Sequence, residues 1–219
     1  NTSIGNSMKV LVTGATGFIG NHVIEQLLKV NCEVIATSTN KLKASKKTWF
    51  SKAKFIEYSL NENITDKNLL KFFHEPDLLI HLAWKGIPNY NELYHFNNLL
   101  PQYFFIQNLV DHGLKDIVVT GTCSEYGMQS GCLNEKMTSH PVNPYSISKD
   151  SLRKLLEALF IKHHFNFKWV RLFYIYGNGQ NPNSLIPLLE NAIKNNTKEF
   201  NMSGGEQLRD YLKIEQVAE

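Results

Sequence analysis

Three consecutive apolar residues, Val10-Leu11-Val12, stand before a glycine-rich turn, and the positions after the turn recur at helical spacing: Ile19, Val23, Ile24, Leu27 and Leu28. An unbroken apolar run suits a strand buried on both faces, and the spacing that follows suits a helix with one buried face. The alternation continues along the chain. Residues 33–37 read as a second strand and 55–58 as a short third. Residues 66–74 predict a helix that Pro76 ends, and 77–83 an apolar fourth strand. A long helix is expected over 92–112, with a kink near Pro101. Residues 116–120 form a fifth strand. Asn143-Pro144 reads as an N-cap followed by proline at the first helical position. The helix they start has Leu152, Leu155, Leu156, Leu159 and Phe160 as its buried stripe. Residues 168–172 predict a sixth strand and 184–194 a further helix. Strands alternating with helices, through connections long enough for crossovers, predict an α/β, doubly wound, mostly parallel sheet.

The chemistry begins at the first turn, Gly14-Ala15-Thr16-Gly17-Phe18-Ile19-Gly20. Strand, glycine turn and helix in succession form a dinucleotide-binding context. Gly14 permits the tight turn, Gly17 admits a pyrophosphate to the backbone, and Gly20 lets the helix pack close. The helix N-terminus then offers N–H groups and a positive dipole end to the phosphates. The alternative is a turn that serves packing alone. At the tip of the second strand, where such folds often place an acid for the adenosine ribose, the chain has Thr37-Ser38-Thr39-Asn40-Lys41. Hydroxyls and a lysine suit a 2′-phosphate, so Ser38 and Lys41 favour NADP over NAD; backbone and Ser38 holding either ribose is the alternative.

Tyr145 and Lys149 lie four apart on the helix after Asn143, on one face. A tyrosine of ordinary pKa is a poor acid–base catalyst near neutrality, and a lysine ammonium one turn away is expected to lower that pKa. The same lysine can hold a nicotinamide ribose. Thr122, just past the fifth strand at the carboxyl edge of the sheet, can donate a second hydrogen bond to a substrate oxygen. A core tyrosine with a surface lysine is the competing reading. His81, inside the fourth strand, reads as a satisfied core histidine, because no His or Cys partner stands at metal spacing; no metal site is expected.

Bulk properties narrow the class. A chain of 219 residues suits one large domain or one and a half small ones, and 42% hydrophobic residues suffice for a sizeable core. The net charge of +3 is dispersed. Its densest basic run, 41–54, lacks interleaved stacking aromatics and reads as a solvated helix face, so no nucleic-acid partner is expected. Three cysteines, Cys32, Cys123 and Cys132, fit a reduced compartment without a disulfide framework. The first eight residues lack an apolar leader core, and no run approaches a membrane span. The expectation is a soluble, cytoplasmic protein without a membrane partner.

Taken together these motifs resemble the extended short-chain dehydrogenases/reductases of the NAD-dependent epimerase/dehydratase type, which act on nucleotide sugars. Residues 13–20 resemble the cofactor turn, including Phe18 and Ile19. His81-Leu82-Ala83-Trp84 resembles the H-x-A segment beside the pyrophosphate and nicotinamide, so Leu82, Ala83 and Trp84 are implied cofactor contacts. The resemblance likewise implies cofactor contacts at Asn98 and Phe173, the catalytic set Thr122, Tyr145 and Lys149, and diphosphate binding by Arg209. It implies a dinucleotide-binding domain over 8–173 and the start of a substrate lobe over 174–219, with relatives continuing beyond Glu219.

Three departures stand out. Family 4,6-dehydratases carry Asp-Glu directly after the threonine, where this chain has Cys123 and Ser124; Glu125 comes one place late, though a shifted loop could bring it into use. Tyr174 replaces an asparagine that touches substrate phosphate. Ser59 replaces an acid that often meets adenine. Residues 84–90 and 127–132 are similar to bacterial deoxysugar 4-ketoreductases and epimerases. The implied activity is reduction of a nucleotide-linked 4-keto-6-deoxyhexose for surface polysaccharide. The rivals are a 4-epimerase with bound NAD and a non-catalytic dinucleotide sensor. The resemblance also implies a homodimer built from the helices over 92–112 and 144–163, as a four-helix bundle.

Overall fold

Burial on both faces accounts for the unbroken apolar run near the start. β1 (Lys9–Thr13) lies inside a six-stranded sheet, and Val10, Leu11 and Val12 are completely buried. The computed structural model describes residues 7–219; most of the stretch read as lacking a leader core, residues 1–6, lies outside the described residues. The chain divides into two compact units, Asn1–Leu172 and Phe173–Glu219.

In the first unit β1 is followed by α1 (Phe18–Lys29), β2 (Glu33–Ser38), α2 (Lys41–Ala44), β3 (Lys54–Glu57), α3 (Leu69–Phe72), β4 (Leu78–His81), α4 (Tyr94–Asp111), β5 (Asp116–Thr122), a 3-10 turn (Cys123–Tyr126), α5 (Pro144–His163) and β6 (Asn166–Leu172). The strand order is β3-β2-β1-β4-β5-β6, with every neighbouring pair parallel. This is the doubly wound arrangement, whose strand order reverses between β1 and β4. Ligands in such sheets bind beyond the carboxyl ends of the strands at that reversal. Leu11, Ile35, Leu79, Ile117 and Val119 of the sheet pack with Phe105, Ile106 and Leu109 of α4 and Leu152, Leu156 and Leu159 of α5.

Local chemistry explains the boundaries. α5 starts where expected: the Asn143 side chain accepts from Ser146 N, Ser146 reaches back to Asn143 N, and Pro144 occupies the first turn. The helix expected over 66–74 shrinks to α3. Asp66, His74 and Glu75 all take positive φ, which a right-handed helix excludes, and the Asn68 side chain caps the start by accepting from Lys71 N. Of the basic run only Lys41–Ala44 is helical. The segment is pinned instead by Trp49, which is buried and donates its indole N–H to Asn21. α4 passes through Pro101 as one continuous helix. Phe160, expected in the buried stripe of α5, is 42% exposed.

The second unit contains β7 (Tyr174–Tyr176), α6 (Leu185–Lys194), β8 (Tyr211–Lys213) and α7 (Ile214–Ala218). β7 and β8 pair in parallel. Ile214 is fully buried and sits against Gly177, where an added Cβ would fall 2.5 Å from its Cγ2. Among the described residues no helix is long and apolar enough to cross a membrane.

The reversal point is tied by one buried relay. Leu82 N and Ala83 N donate to Thr13 Oγ1 at 3.1 and 3.2 Å. Thr13 Oγ1 lies 3.0 Å from His81 Nδ1, and His81 Nε2 lies 2.5 Å from Gln102 Oε1. Since Gln102 Oε1 can only accept, Nε2 carries the proton and Nδ1 accepts from Thr13. His81 is thus the satisfied core histidine that the sequence suggested, held neutral. Burial, then the nearby Lys149, push its pKa down to about 3. The unfolded value near 6.5 lies above this, so the unfolded chain binds the extra proton. The stability His81 contributes is therefore complete above about pH 6.5 and is lost as pH falls toward 3. Thermal melts between pH 4.5 and 7 should show a steeper acid loss for the native chain than for His81→Gln; equal slopes would contradict the relay.

Candidate active site

The glycine turn joins β1 to α1 at the reversal. Gly14 has φ +68, and a Cβ there would sit 2.9 Å from Ala83 N and 3.0 Å from the Leu82 carbonyl carbon. A Cβ on Gly20 would sit 2.3 Å from Gly14 O. Both glycines therefore serve close backbone packing, with Gly20 closing on the turn itself. Gly17 is looser, its Cβ position 3.1 Å from Gly14 O. It caps α1 without a side-chain hydrogen bond, and no acid stands in the first turn. Phe18, Ile19 and Gly20 thus begin a helix whose positive end meets no anion of the chain's own capping, which suits a pair of phosphates. These residues fit a dinucleotide.

Across the reversal, β5 ends at Thr122 and α5 brings Tyr145 and Lys149 to the same edge. Tyr145 and Thr122 share a side-chain hydrogen bond. Tyr145 is 6% exposed, its N–H donates to Tyr90 O at 3.1 Å, and its ring lies among Tyr90, His95 and Trp84, with centroids 5.3, 5.3 and 6.0 Å away. Lys149 is 2% exposed; its Nζ donates to Thr120 O at 2.8 Å and stands 4.4 Å from the centre of the Trp84 ring. Trp84 is held in turn by its indole N–H, which donates to His95 Nδ1 at 3.0 Å, while His95 Nε2 donates to Asn89 O.

Electrostatics correct one expectation. Lys149 was expected to lower the Tyr145 pKa. Burial instead raises it, with a further rise from Tyr90, and only the hydrogen bond to Thr122 pulls the other way. The ammonium is turned to Thr120 O and Trp84. Burial lowers Lys149 itself to about 7, opposed by the charge of Glu125. At neutral pH Tyr145 is a protonated phenol beside a hydroxyl, with a lysine poised between charged and neutral forms.

The segment after β4 is strapped to α4. Tyr94 Oη donates to Gly86 O at 2.5 Å, and Asn98 Nδ2 donates to Lys85 O at 3.0 Å. Asn98, expected to touch cofactor, holds this loop through its Nδ2. Leu82, Ala83 and Trp84 begin the loop, at the reversal point. Sequence reasoning missed His95 and Tyr90, since nothing in their spacing announces that they pack on Tyr145. It also placed Glu125 one position late, an acid that a shifted loop could bring into use. Glu125 is fully buried and accepts from Thr122 N, Trp169 Nε1 and Arg171 Nε. No loop shift is needed to occupy it.

At the tip of β2, Ser38 pairs in register with Glu57 of β3. Glu57 Oε1 accepts from Lys41 N at 3.2 Å, and Asn40 N donates to Ser38 Oγ at 3.4 Å. An acid therefore does stand beside Ser38 and Lys41, supplied by the neighbouring strand. In the second unit, Phe173 precedes β7, and the Arg209 guanidinium lies 4.3 Å over the Tyr174 ring while Tyr174 N donates to Asp210 O. Among the described residues no group of three or more His, Cys, Asp or Glu side chains is placed to hold a metal ion.

Residues 10–219 match the model of the NAD dependent epimerase/dehydratase family. The chain is 28% identical over 212 residues to a dTDP-6-deoxy-L-talose 4-dehydrogenase (NAD(+)) of Aggregatibacter actinomycetemcomitans, covering 96% of this chain and 77% of the relative. It superposes with a TM-score of 0.79 on a UDP-glucuronic acid 4-epimerase from Bacillus cereus in complex with NAD, at 26% identity, covering 96% of this chain and 72% of that one. A UDP-glucose 4-epimerase from Thermotoga maritima, solved with UDP-glucose, shares the fold with a TM-score of 0.83 at 24% identity, over 96% and 71% of the two chains.

Proposed function

The chain belongs to the NAD dependent epimerase/dehydratase family, and from its site we propose that it reduces a 4-keto group on a nucleotide-linked sugar. The observation that carries this reading is the placement of the buried Tyr145 phenol beside Thr122 at the carboxyl end of β5, with Lys149 one helical turn further along α5. Reduction of a ketone needs an acid at its oxygen. Tyr145 gives its proton to that oxygen as C4 gains hydride, and Thr122 orients the oxygen as charge develops on it. The Gly14–Gly20 turn and the start of α1 would hold a nicotinamide dinucleotide, which would supply the hydride and be oxidised in doing so. Lys149 would hold the nicotinamide ribose, and Leu82, Ala83 and Trp84 would complete the cofactor's surroundings in the first unit. Arg209, stacked on Tyr174, binds the sugar nucleotide's diphosphate. A 4-keto-6-deoxyhexose is the sugar class, in keeping with the 6-deoxytalose named for the relative; surface polysaccharide is the expected destination.

Elimination of water is disfavoured. It needs an acid–base pair, and the two places after Thr122 hold Cys123 and Ser124, while Glu125 is committed to Arg171 and Trp169. A 4-epimerase is the second reading, supported by the likeness to the NAD-bound Bacillus enzyme. It requires Tyr145 to act also as a base, which its raised pKa opposes. For the coenzyme, Glu57 offsets the lysine-based preference. A carboxylate beside Ser38 accepts ribose hydroxyls and repels a 2′-phosphate, so NAD(H) is favoured over NADP(H). The protein is also proposed to be a homodimer. Leu93, Phe96, Leu100 and Phe104 form an exposed apolar stripe at helical spacing along α4.

Three measurements test these readings. With NADH and a dTDP-linked 4-keto-6-deoxyhexose, nicotinamide absorbance should fall in step with product, and Tyr145→Phe should lower turnover about 10²–10⁴-fold without loss of NADH binding. Full activity in Tyr145→Phe sinks the catalytic assignment, and product without net NADH loss favours the epimerase. In direct titrations NADH should bind more tightly than NADPH, and Glu57→Gln should narrow the gap about tenfold; an unchanged ratio removes Glu57 from the coenzyme site. Sedimentation at micromolar protein should show a dimer that Phe96→Glu with Phe104→Glu converts to monomer; a monomeric parent contradicts the stripe.

A further inference from the structure

Glu125 is the most enclosed carboxylate of the first unit's site edge. Its side chain has no solvent exposure, and it accepts from three residues on two strands. Oε1 accepts from Thr122 N at 2.8 Å, closing a capping box in which the Thr122 hydroxyl accepts from Ser124 N at 3.2 Å. Oε2 accepts from Trp169 Nε1 at 3.0 Å and Arg171 Nε at 2.7 Å, both on β6. Arg171 is braced by Tyr126, whose ring lies 4.7 Å from the guanidinium carbon. Room for this cluster is made by Gly121: a Cβ there would fall 2.2 Å from Trp169 Nε1 and 2.5 Å from Glu125 Oε1. The backbone at the end of β5 is thus shaped around the carboxylate.

We propose that Glu125 is a positioning residue for hydride chemistry at this site. It fixes Thr122 through its backbone N–H and sets a negative charge near the dehydrated amine of Lys149. The inference rests on the reading that Thr122, Tyr145 and Lys149 perform the reaction. The groups facing this region are Arg171, Trp169 and Tyr126 beside Glu125, Tyr145 and Lys149 on α5, Cys123 on the 3-10 turn, and His81 and Trp84 on the β4 side. Lys149 Nζ donates to Thr120 O at 2.8 Å, and Glu125 Oε1 lies against Gly121, the next residue of β5, so the carboxylate stands near the amine and its charge opposes loss of the Lys149 proton. Arg171 compensates Glu125 locally, so the pair is neutral as a unit while its negative member acts on Lys149.

The experiment reads Lys149 directly. The protein is produced with ¹³C-labelled lysine, the Lys149 Cε signal is assigned with Lys149→Arg, and its titration is followed by NMR with no substrate present. Glu125→Gln should lower the Lys149 midpoint by about one pH unit and reduce kcat more than KM. Glu125→Asp keeps the charge one methylene short of its partners. It should leave the midpoint near the parent's while kcat falls, since the Thr122 cap is lost. Should Glu125→Gln alone misfold around the stranded guanidinium, Glu125→Gln with Arg171→Gln is titrated against Arg171→Gln alone, so that the compared chains differ only in the carboxylate. A Lys149 midpoint that does not move when the carboxylate is removed overturns the electrostatic role, and parent-like kcat in Glu125→Asp overturns the positioning role. Because the titration needs no turnover, an inactive parent would fault the proposed reaction while leaving the Lys149 result standing on its own.

Discussion

An ammonium group taken out of water needs replacement for the hydration it gives up, and Lys149 sits where water does not reach. The surrounding site supplies that replacement in pieces from four elements. β5 offers the Thr120 carbonyl, β4 leads to the Trp84 face, the 3-10 turn brings Glu125, and α5 carries the lysine itself. None of these partners alone equals a hydration shell, which is why the amine's pKa settles near 7 rather than at its ordinary value. The constraint reaches further out. Trp84 is fixed by His95, His95 by the Asn89 carbonyl, and the loop between them by Tyr94 and Asn98. The loop's shape thus follows in part from one buried cation.

The same burial explains why the tyrosine behaves against the simple expectation. A lysine one helical turn away stabilises a phenolate only if its charge is directed at the phenol. Here the ammonium points to a carbonyl and a ring face, and the phenol is surrounded by Tyr90, His95 and Trp84. Desolvation then dominates and the phenol keeps its proton. In that state the phenol is able to donate a proton to a neighbouring oxygen.

Local patterns carried much of the architecture. The strands at Val10, Ile35, Leu79 and Ile117 were legible because a parallel sheet covered on both faces leaves no room for polar alternation. The start of α5 was legible because Asn143 and Pro144 act within one turn of chain. What failed had nonlocal causes. The helix over 66–74 looked continuous in composition, and only the positive φ at Asp66, His74 and Glu75 reveals its short extent. β7 and β8 pair only with each other, from segments separated by α6, and neither carries a buried run. In the site, Gly14, Thr122, Tyr145 and Lys149 announce themselves by spacing along the chain. Glu57 and Arg171 do not, because each acquires its meaning from a partner on another strand or turn.

That distinction bears on chemistry. Hydride transfer at a sugar carbon asks little of the side chains beyond an acid, a donor and a cation, and those are the residues with readable spacing. Removing water from the sugar asks for two further acid–base groups at the end of β5. This chain has one carboxylate in that region, and its lone pairs are taken by a backbone N–H, an indole and a guanidinium. Freeing it for proton transfer would strand Arg171 at the end of β6 and uncap the 3-10 turn that carries Thr122, at a cost of several kcal/mol for the broken buried pair. The acid that stands one place late for elimination is therefore held by β5 and β6, and on the proposed reading it is what fixes Thr122.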